Sequence, residues 1–381
     1  MPGMGTIRTF LITVDEVKER IRTFPTVVVL LQRAARRFKV STFAIWKRAI
    51  ALYWRCGLGP DEAVESGFID PSVSPELDAC AIGHWRLTRL QGRLNHPNWG
   101  CLVDDKAVFY SYCKGVALPI PRLYAVLDKN SGWTESGKVI TDRAEWEHFF
   151  ENDLPQEFII KPALGERGYG VNLYRRAGLS FQDSLGQVFS AASLYDHLRS
   201  DSQYTRFVFQ ERVFNHPEIQ RLTGNQSLQT LRITTWVTNE GEIELYEAYF
   251  KLILRESVID NYDEGRTPGF ADVDLDTGIL AAPLALSPDG IGLKILPVHP
   301  ATGIDLCGKL LPHWPQTRQL VNRAARLLLP LRTIGWDVAI TVDGPMLIEG
   351  NTWWGTSNHT CLSESRRREL ARFVKRFTNE P

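Results

Sequence analysis

The chain has 381 residues, which at about 100–200 residues per domain predicts two or three domains or lobes with ample core. Lys plus Arg number 44 and Asp plus Glu number 44, so no global field gathers nucleic acid or an acidic membrane, and any polyanion site must be local. Hydrophobic residues at 44% and charged residues at 23% argue against disorder.

The longest early apolar run, Val27 to Leu31, falls far below the ~20 residues a membrane-spanning helix needs. The N-terminus has no basic start leading into a cleavable apolar segment, so a cytoplasmic location is expected. The cysteines, at 56, 80, 101, 113, 307 and 361, include no CxxC pair and predict reduced, mostly buried thiols rather than a disulfide framework or zinc site.

Residues 1–95 read as mainly helical: Gly57 and Gly59 end one helix, and Pro60-Asp61-Glu62 opens the next with early acids. Between Ile21 and Pro60 stand eight basic residues (Arg22, Arg33, Arg36, Arg37, Lys39, Lys47, Arg48, Arg55) and no acidic one. They form either the solvated faces of two helices or a surface for a phosphorylated or lipid-linked partner.

From about residue 96 short β-rich runs alternate with helices. Arg122 to Leu127, Phe158 to Ile160 and Phe207 to Gln210 read as strands, and Asp142-Arg-Ala-Glu145 as a capped helix start. Gln229–Val237 and Glu242–Leu254 form a pair around Thr238-Asn-Glu-Gly241; a helix over Thr317–Leu329 and a hairpin over Ile334–Asn351 come next. Gly132 to Val139 nearly spells a phosphate loop, but Val139 has no hydroxyl for a metal and no convincing helix succeeds it, so a surface turn is expected.

The final hairpin carries the strongest chemical signal. Glu349 and Asn351, two apart in an apolar strand, share a face and offer hard oxygens suited to Mg²⁺. Asp337 joins them if the hairpin register is right. An odd loop such as Asp343-Gly344-Pro345 sets it opposite Asn351, whereas a two-residue turn aims it away unless a bulge restores the phase. A second signal is Lys161 at a strand end followed by Gly165, Gly168 and Gly170, which let the backbone approach a triphosphate.

Together these segments, in this order, resemble the ATP-grasp superfamily and its sugar-transfer associated branch from about Asn95 to Gly355. The resemblance implies an α+β fold, two ATP-grasp lobes clasping ATP, with a mainly helical N-terminal region. The expected divisions are 1–95, a first lobe over 96–225 with the Gly-rich flap, and a second lobe over 226–381 with the metal site. Asp104-Asp105-Lys106 is similar to the family's DK motif, and KPALGERGYGV to its flap, implying that Lys106, Lys161, Gly165, Gly168 and Gly170 meet ATP. Gln210, Glu211, Arg212 and Val213 resemble the interlobe strand at the adenine. Thr230-Leu-Arg232 and Asp260-Asn261 resemble the branch's TLR and DN segments, which implies that Arg232 and Asn261, with Lys251, form the catalytic set. Asp337, Glu349 and Asn351 fall at the metal positions.

The resemblance further implies a carboxylate–amine ligase working through an acyl phosphate, with ATP and Mg²⁺ as cofactors and small-molecule acid and amine substrates. A phosphotransferase acting on a hydroxyl or sugar is the alternative, and a nucleotide-binding scaffold without turnover the third reading. Nucleic acid is not an expected partner.

Overall fold

The computed structural model describes residues 24–129, 131–165, 168–254 and 269–379. The chain divides into two compact units, Trp99–Pro283 with Leu296–Thr352, and Met1–Asn98 with Leu284–Ile295 and Trp353–Pro381.

The first of these units holds an antiparallel sheet of eight strands: β1 (Leu123–Asp128), β2 (Gly132–Thr134), β3 (Val139–Ile140), β4 (Glu157–Pro162), β5 (Asn172–Ala177), β6 (Ser180–Gln182), β7 (Val188–Ser190) and β8 (Arg206–Glu211). Their order is β3-β2-β1-β8-β4-β5-β6-β7. Asp142 starts the helix Arg143–Asn152 by accepting from the Ala144 and Glu145 N–H groups. Trp146, Phe149 and Phe150 of that helix are buried, and Phe150 stacks on Phe209 with ring centroids 5.3 Å apart. Contacts of this kind add about 0.5–1.5 kcal/mol each beyond area burial. The near-match to a phosphate loop is the turn joining β2 to β3, where Gly137 has φ 83° and Lys138 pairs with Glu145 at 3.0 Å.

The same unit holds β9 (Thr230–Val237), β10 (Ile243–Leu252) and β11 (Gly269–Asp272). The short strands β12 (Leu284–Leu286) and β13 (Leu293–Ile295) belong to the other unit, and β14 (Thr333–Thr341) and β15 (Gly344–Asn351) return to this one. The strands run β11-β10-β9-β14-β15, and β14 is buried along its whole length, as a central strand must be. The helix Lys106–Gly115 serves two cores: Ala107 packs with Val126, Ala163 and Val208, while Phe109, Tyr110 and Cys113 join Leu231, Trp336 and Leu347.

The helices Thr42–Cys56, Pro60–Glu65, Pro75–Asp78, His84–Leu94 and Glu364–Thr378 belong to the other unit, together with a helix over 24–38. Ser41 caps Thr42–Cys56, which buries Ile45, Ala49, Leu52 and Cys56 and ends at Gly57 with φ 81°. Arg48 donates through Nη1 and Nη2 to the buried Asp78 at 2.9 and 2.6 Å, so this cation of the basic stretch is structural. Cys56, Cys80 and Cys113 are buried, but Cys101, Cys307 and Cys361 are exposed, fewer buried thiols than expected. All six are free.

Candidate active site

The β14–β15 hairpin differs from the odd-loop expectation in an instructive way. Thr341 pairs with Gly344, so the turn is Val342-Asp343. Thr341 Oγ1 fixes it by donating to Gly344 O at 2.9 Å and accepting from Asp343 N at 3.2 Å. That two-residue turn alone would aim Asp337 away. A bulge at Ile348 restores the phase, so that Asp337 lies opposite Glu349 and Asn351 opposite Gly335. Tyr110 Oη donates to the Ile348 carbonyl at 2.7 Å and holds the bulged backbone.

Register then builds a row across four strands. Glu349 opposes Asp337, Asp337 opposes Arg232, and Arg232 opposes Tyr249. Lys251, two residues beyond Tyr249, shares its face. Arg232 donates from Nε to Asp337 Oδ1 at 2.6 Å and from Nη2 to Oδ2 at 3.1 Å, and Lys251 Nζ donates to Oδ2 at 3.0 Å. Burial pushes the Asp337 carboxyl upward, but Arg232 and Lys251 outweigh it and hold the group well below the usual carboxylate range. Burial likewise opposes the charge on Arg232, and Asp337 more than offsets it.

Lys106 and Lys161 line the cleft together with Asp337 and Glu349. Lys161 is fully buried, donates to Tyr110 Oη at 2.8 Å and lies 5.1 Å from that ring's centroid. Burial, then the charge of Lys106, brings Lys161 down to about 7. Lys106 Nζ donates to Gly165 O at 2.8 Å and lies 3.8 Å from Glu349. Gly165 and Gly168 line the cleft. Gly170 has φ 73°, and a Cβ there would meet Pro162 Cγ at 2.8 Å, so a side chain would be both strained and crowded.

Ile159, Leu173, Val213 and Ile348 give the cleft apolar lining, and Gln210 and Arg212 border it. Gln210 is buried with its Oε1 lacking a hydrogen-bond partner among the described residues, a cost of about 1–3 kcal/mol that a ligand donor would relieve. Arg212 lies 4.5 Å over the Phe214 ring and pairs with Glu157. Glu211 instead turns its carboxylate to the Arg122 N–H at 3.1 Å, leaving its backbone on β8.

Asp337, Glu349 and Asn351 offer oxygen donors of the kind a hard divalent cation takes. Asn351 Nδ2 donates to Gly335 O at 3.3 Å, which orients the amide and leaves Oδ1 to coordinate. A carboxylate offers roughly four lone-pair sites, and Arg232 and Lys251 use three of those on Asp337. Among the described residues no group of three or more His, Cys, Asp or Glu could hold a metal; here the donors are two carboxylates and an amide oxygen.

The structure places Asp337, Glu349, Lys106 and Lys161 on one cleft and pairs Arg232 and Lys251 with Asp337; Asn351, opposite Gly335, is not among the lining residues, and Asn261 lies outside the described residues. Sequence reasoning missed Tyr110 and Tyr249. Both had a spacing signal: Tyr110 is one helical turn after Lys106, and Tyr249 one strand period before Lys251.

The chain belongs to the sugar-transfer associated ATP-grasp family, whose pattern matches residues 86–372. Its fold is the ATP-grasp fold. A search of curated proteins gave no match. Among solved structures it is similar to an ADP complex of N5-carboxyaminoimidazole ribonucleotide synthetase (10% identity, 73% of this chain, 52% of that one, TM-score 0.40). It is also similar to a D-cycloserine synthetase (17% identity, 74% and 71%, TM-score 0.38). A third is a D-alanine–D-alanine ligase from Bacillus anthracis (10% identity, 73% and 67%, TM-score 0.37). The chain therefore spans about half the length of the first.

Proposed function

We propose that the chain is an ATP-dependent carboxylate–amine ligase, joining a small acid to an amine through an acyl phosphate and releasing ADP and phosphate. The observation that carries this reading is the row Glu349–Asp337–Arg232–Tyr249 with Lys251, set by strand register, of which Asp337 and Glu349 line a cleft with Lys106 and Lys161. Such a site concentrates cations on a small anion at fixed positions.

In this reading Lys106 and Lys161 bind the phosphates, and Gly165, Gly168 and Gly170 admit them closely. The unpartnered Gln210 Oε1 accepts from the base, which lies among Ile159, Leu173 and Val213. Asp337, Glu349 and Asn351 hold Mg²⁺, which when bound neutralises phosphate oxygens. Arg232 and Lys251, anchored on Asp337, meet the charge that develops as the acid's carboxylate attacks the γ-phosphorus. The amine then attacks the acyl carbon, an amide C–N bond forms, and phosphate leaves with the acyl C–O bond electrons. We assign the lobes to 96–225 and 226–381, the second drawing residues from both compact units.

Hydroxylamine added during turnover with pools of small acids tests the assignment. A hydroxamate together with ADP is the expected product; a stable phosphoester on a hydroxyl acceptor would instead make the chain a kinase.

A further inference from the structure

The helix Thr42–Cys56 is apolar on two opposite faces. Its buried side is Ile45, Ala49, Leu52 and Cys56. The residues at 43, 47, 50 and 54 repeat the same i, i+4, i+7, i+11 spacing on the other side. Three of these are large and apolar, yet Phe43 is 78% exposed, Ile50 54% and Trp54 71%. The fourth is Lys47. Phe24, also exposed, extends this surface from the preceding helix with its ring 6.3 Å from that of Trp46. A solvent-facing stripe of this kind calls for a partner.

Charge selects which one. The sequence from Arg22 to Pro60 has no acidic residue. Arg37 reaches Asp289 and Arg55 reaches Asp78, but Arg33, Arg36, Lys39 and Lys47 form no ion pair among the described residues. A second copy of this chain would set Lys47 and its neighbours against themselves across a two-fold contact. An apolar stripe carrying Lys47, on a segment without acidic residues, is complementary to a bilayer with anionic headgroups: the aromatic and aliphatic tips enter the headgroup–acyl boundary while the Lys47 ammonium meets phosphates. No helix of the described residues is long and apolar enough to cross a membrane.

We propose that the Phe43–Lys47–Ile50–Trp54 face docks the protein on an anionic lipid surface. A lipid-linked acceptor, one of the two expectations for the basic stretch, would reside in that same bilayer.

Flotation of the full chain with phosphatidylcholine vesicles, with and without about 30% phosphatidylglycerol, tests this. Binding is expected only to the anionic vesicles and should fall as salt rises. The triple variant Phe43→Ser, Ile50→Ser, Trp54→Ser should lose roughly tenfold or more in partition, and Lys47→Glu a smaller amount. In the wild-type chain, bromine-labelled acyl chains should quench tryptophan fluorescence, a readout that needs no variant to fold. Absence of both binding and quenching at low salt overturns the proposal. So does a vesicle-free dimer of the wild type that the triple variant converts to monomer, which would assign the face to a second copy. Vesicle binding that appears only after residues 1–23 are removed would assign it to that segment.

Discussion

Arg232 and Lys251 share one buried carboxylate, Asp337, whereas Lys47 stands among exposed Phe43, Ile50 and Trp54 without an ion pair among the described residues. The two regions use cations in opposite ways. Strand register fixes the first pair where water is scarce and Coulomb interactions are strong, so they suit a small anion whose charge changes during a reaction. The helix leaves the second group in water, where salt screens it over about 8 Å, so it suits an extended charged surface. Burial and pairing separate a chemical site from a docking site more clearly than the number of cations does.

The sharpest way to break the first half of that comparison is Glu349→Gln. It keeps the shape of the strand but removes one of the two carboxylates facing each other across the hairpin. Turnover, measured as ADP release, should fall about 10²–10³-fold with little change in thermal stability. Near-wild-type turnover would remove Glu349 from the metal set. Asp337→Asn should act on stability as well, because it leaves Arg232 and Lys251 buried without their carboxylate. A loss of about 3–5 kcal/mol in denaturant unfolding is expected. A fully stable variant would mean that these cations reach other partners or water.

The basic stretch supplies its own internal contrast. Arg48→Ala removes both hydrogen bonds to the buried Asp78 and the one from Nε to Phe68 O at 3.1 Å, and should cost about 3 kcal/mol. Replacing the exposed Arg33, Arg36 and Arg37 by Gln should change stability by no more than about 0.5 kcal/mol per site. It should nevertheless weaken vesicle binding at low salt. Equal stability losses in the two variants would show that the stretch is scaffold throughout.

How much of this was legible in the sequence depended on the range of the interaction that decides each feature. The alternation placing Glu349 and Asn351 on one face is local, and so are the Asp142 cap and the Gly241 turn, with φ 82°. The Asp337–Glu349 register was not legible, because it depends on a bulge whose carbonyl binds Tyr110, 238 positions away in sequence. Lys251 could be read as an outward strand charge until pairing brought it to Asp337. The surface stripe was hidden for another reason: Phe43, Ile50 and Trp54 have the same helical spacing as a core face, and only the packing of Ile45, Ala49 and Leu52 shows which side points outward.

The smallest expected effect lies in the helical unit, at Glu62. Its carboxylate accepts from the backbone N–H of Gly59 and of His84, each at 3.1 Å, joining the start of one helix to the start of another. Desolvation nevertheless dominates and lifts the carboxyl to about 7, against 4.5 for an ordinary glutamate. The sign is opposite to that of Asp337. Between about pH 4.5 and 7 the folded chain binds a proton at Glu62 that the unfolded chain has released, so stability falls as pH rises through this window and levels off above it. The backbone donors favour the ionised form, so the swing should be about 1–3 kcal/mol. Glu62→Gln should abolish this part of the pH dependence, measured by urea unfolding at a series of pH values. It should leave ADP release unchanged, since turnover is assigned to residues of the other unit. If stability instead rises with pH across the window in the wild type and the variant flattens that rise, the hydrogen bonds outweigh burial and Glu62 behaves as an ordinary stabilising helix-start carboxylate.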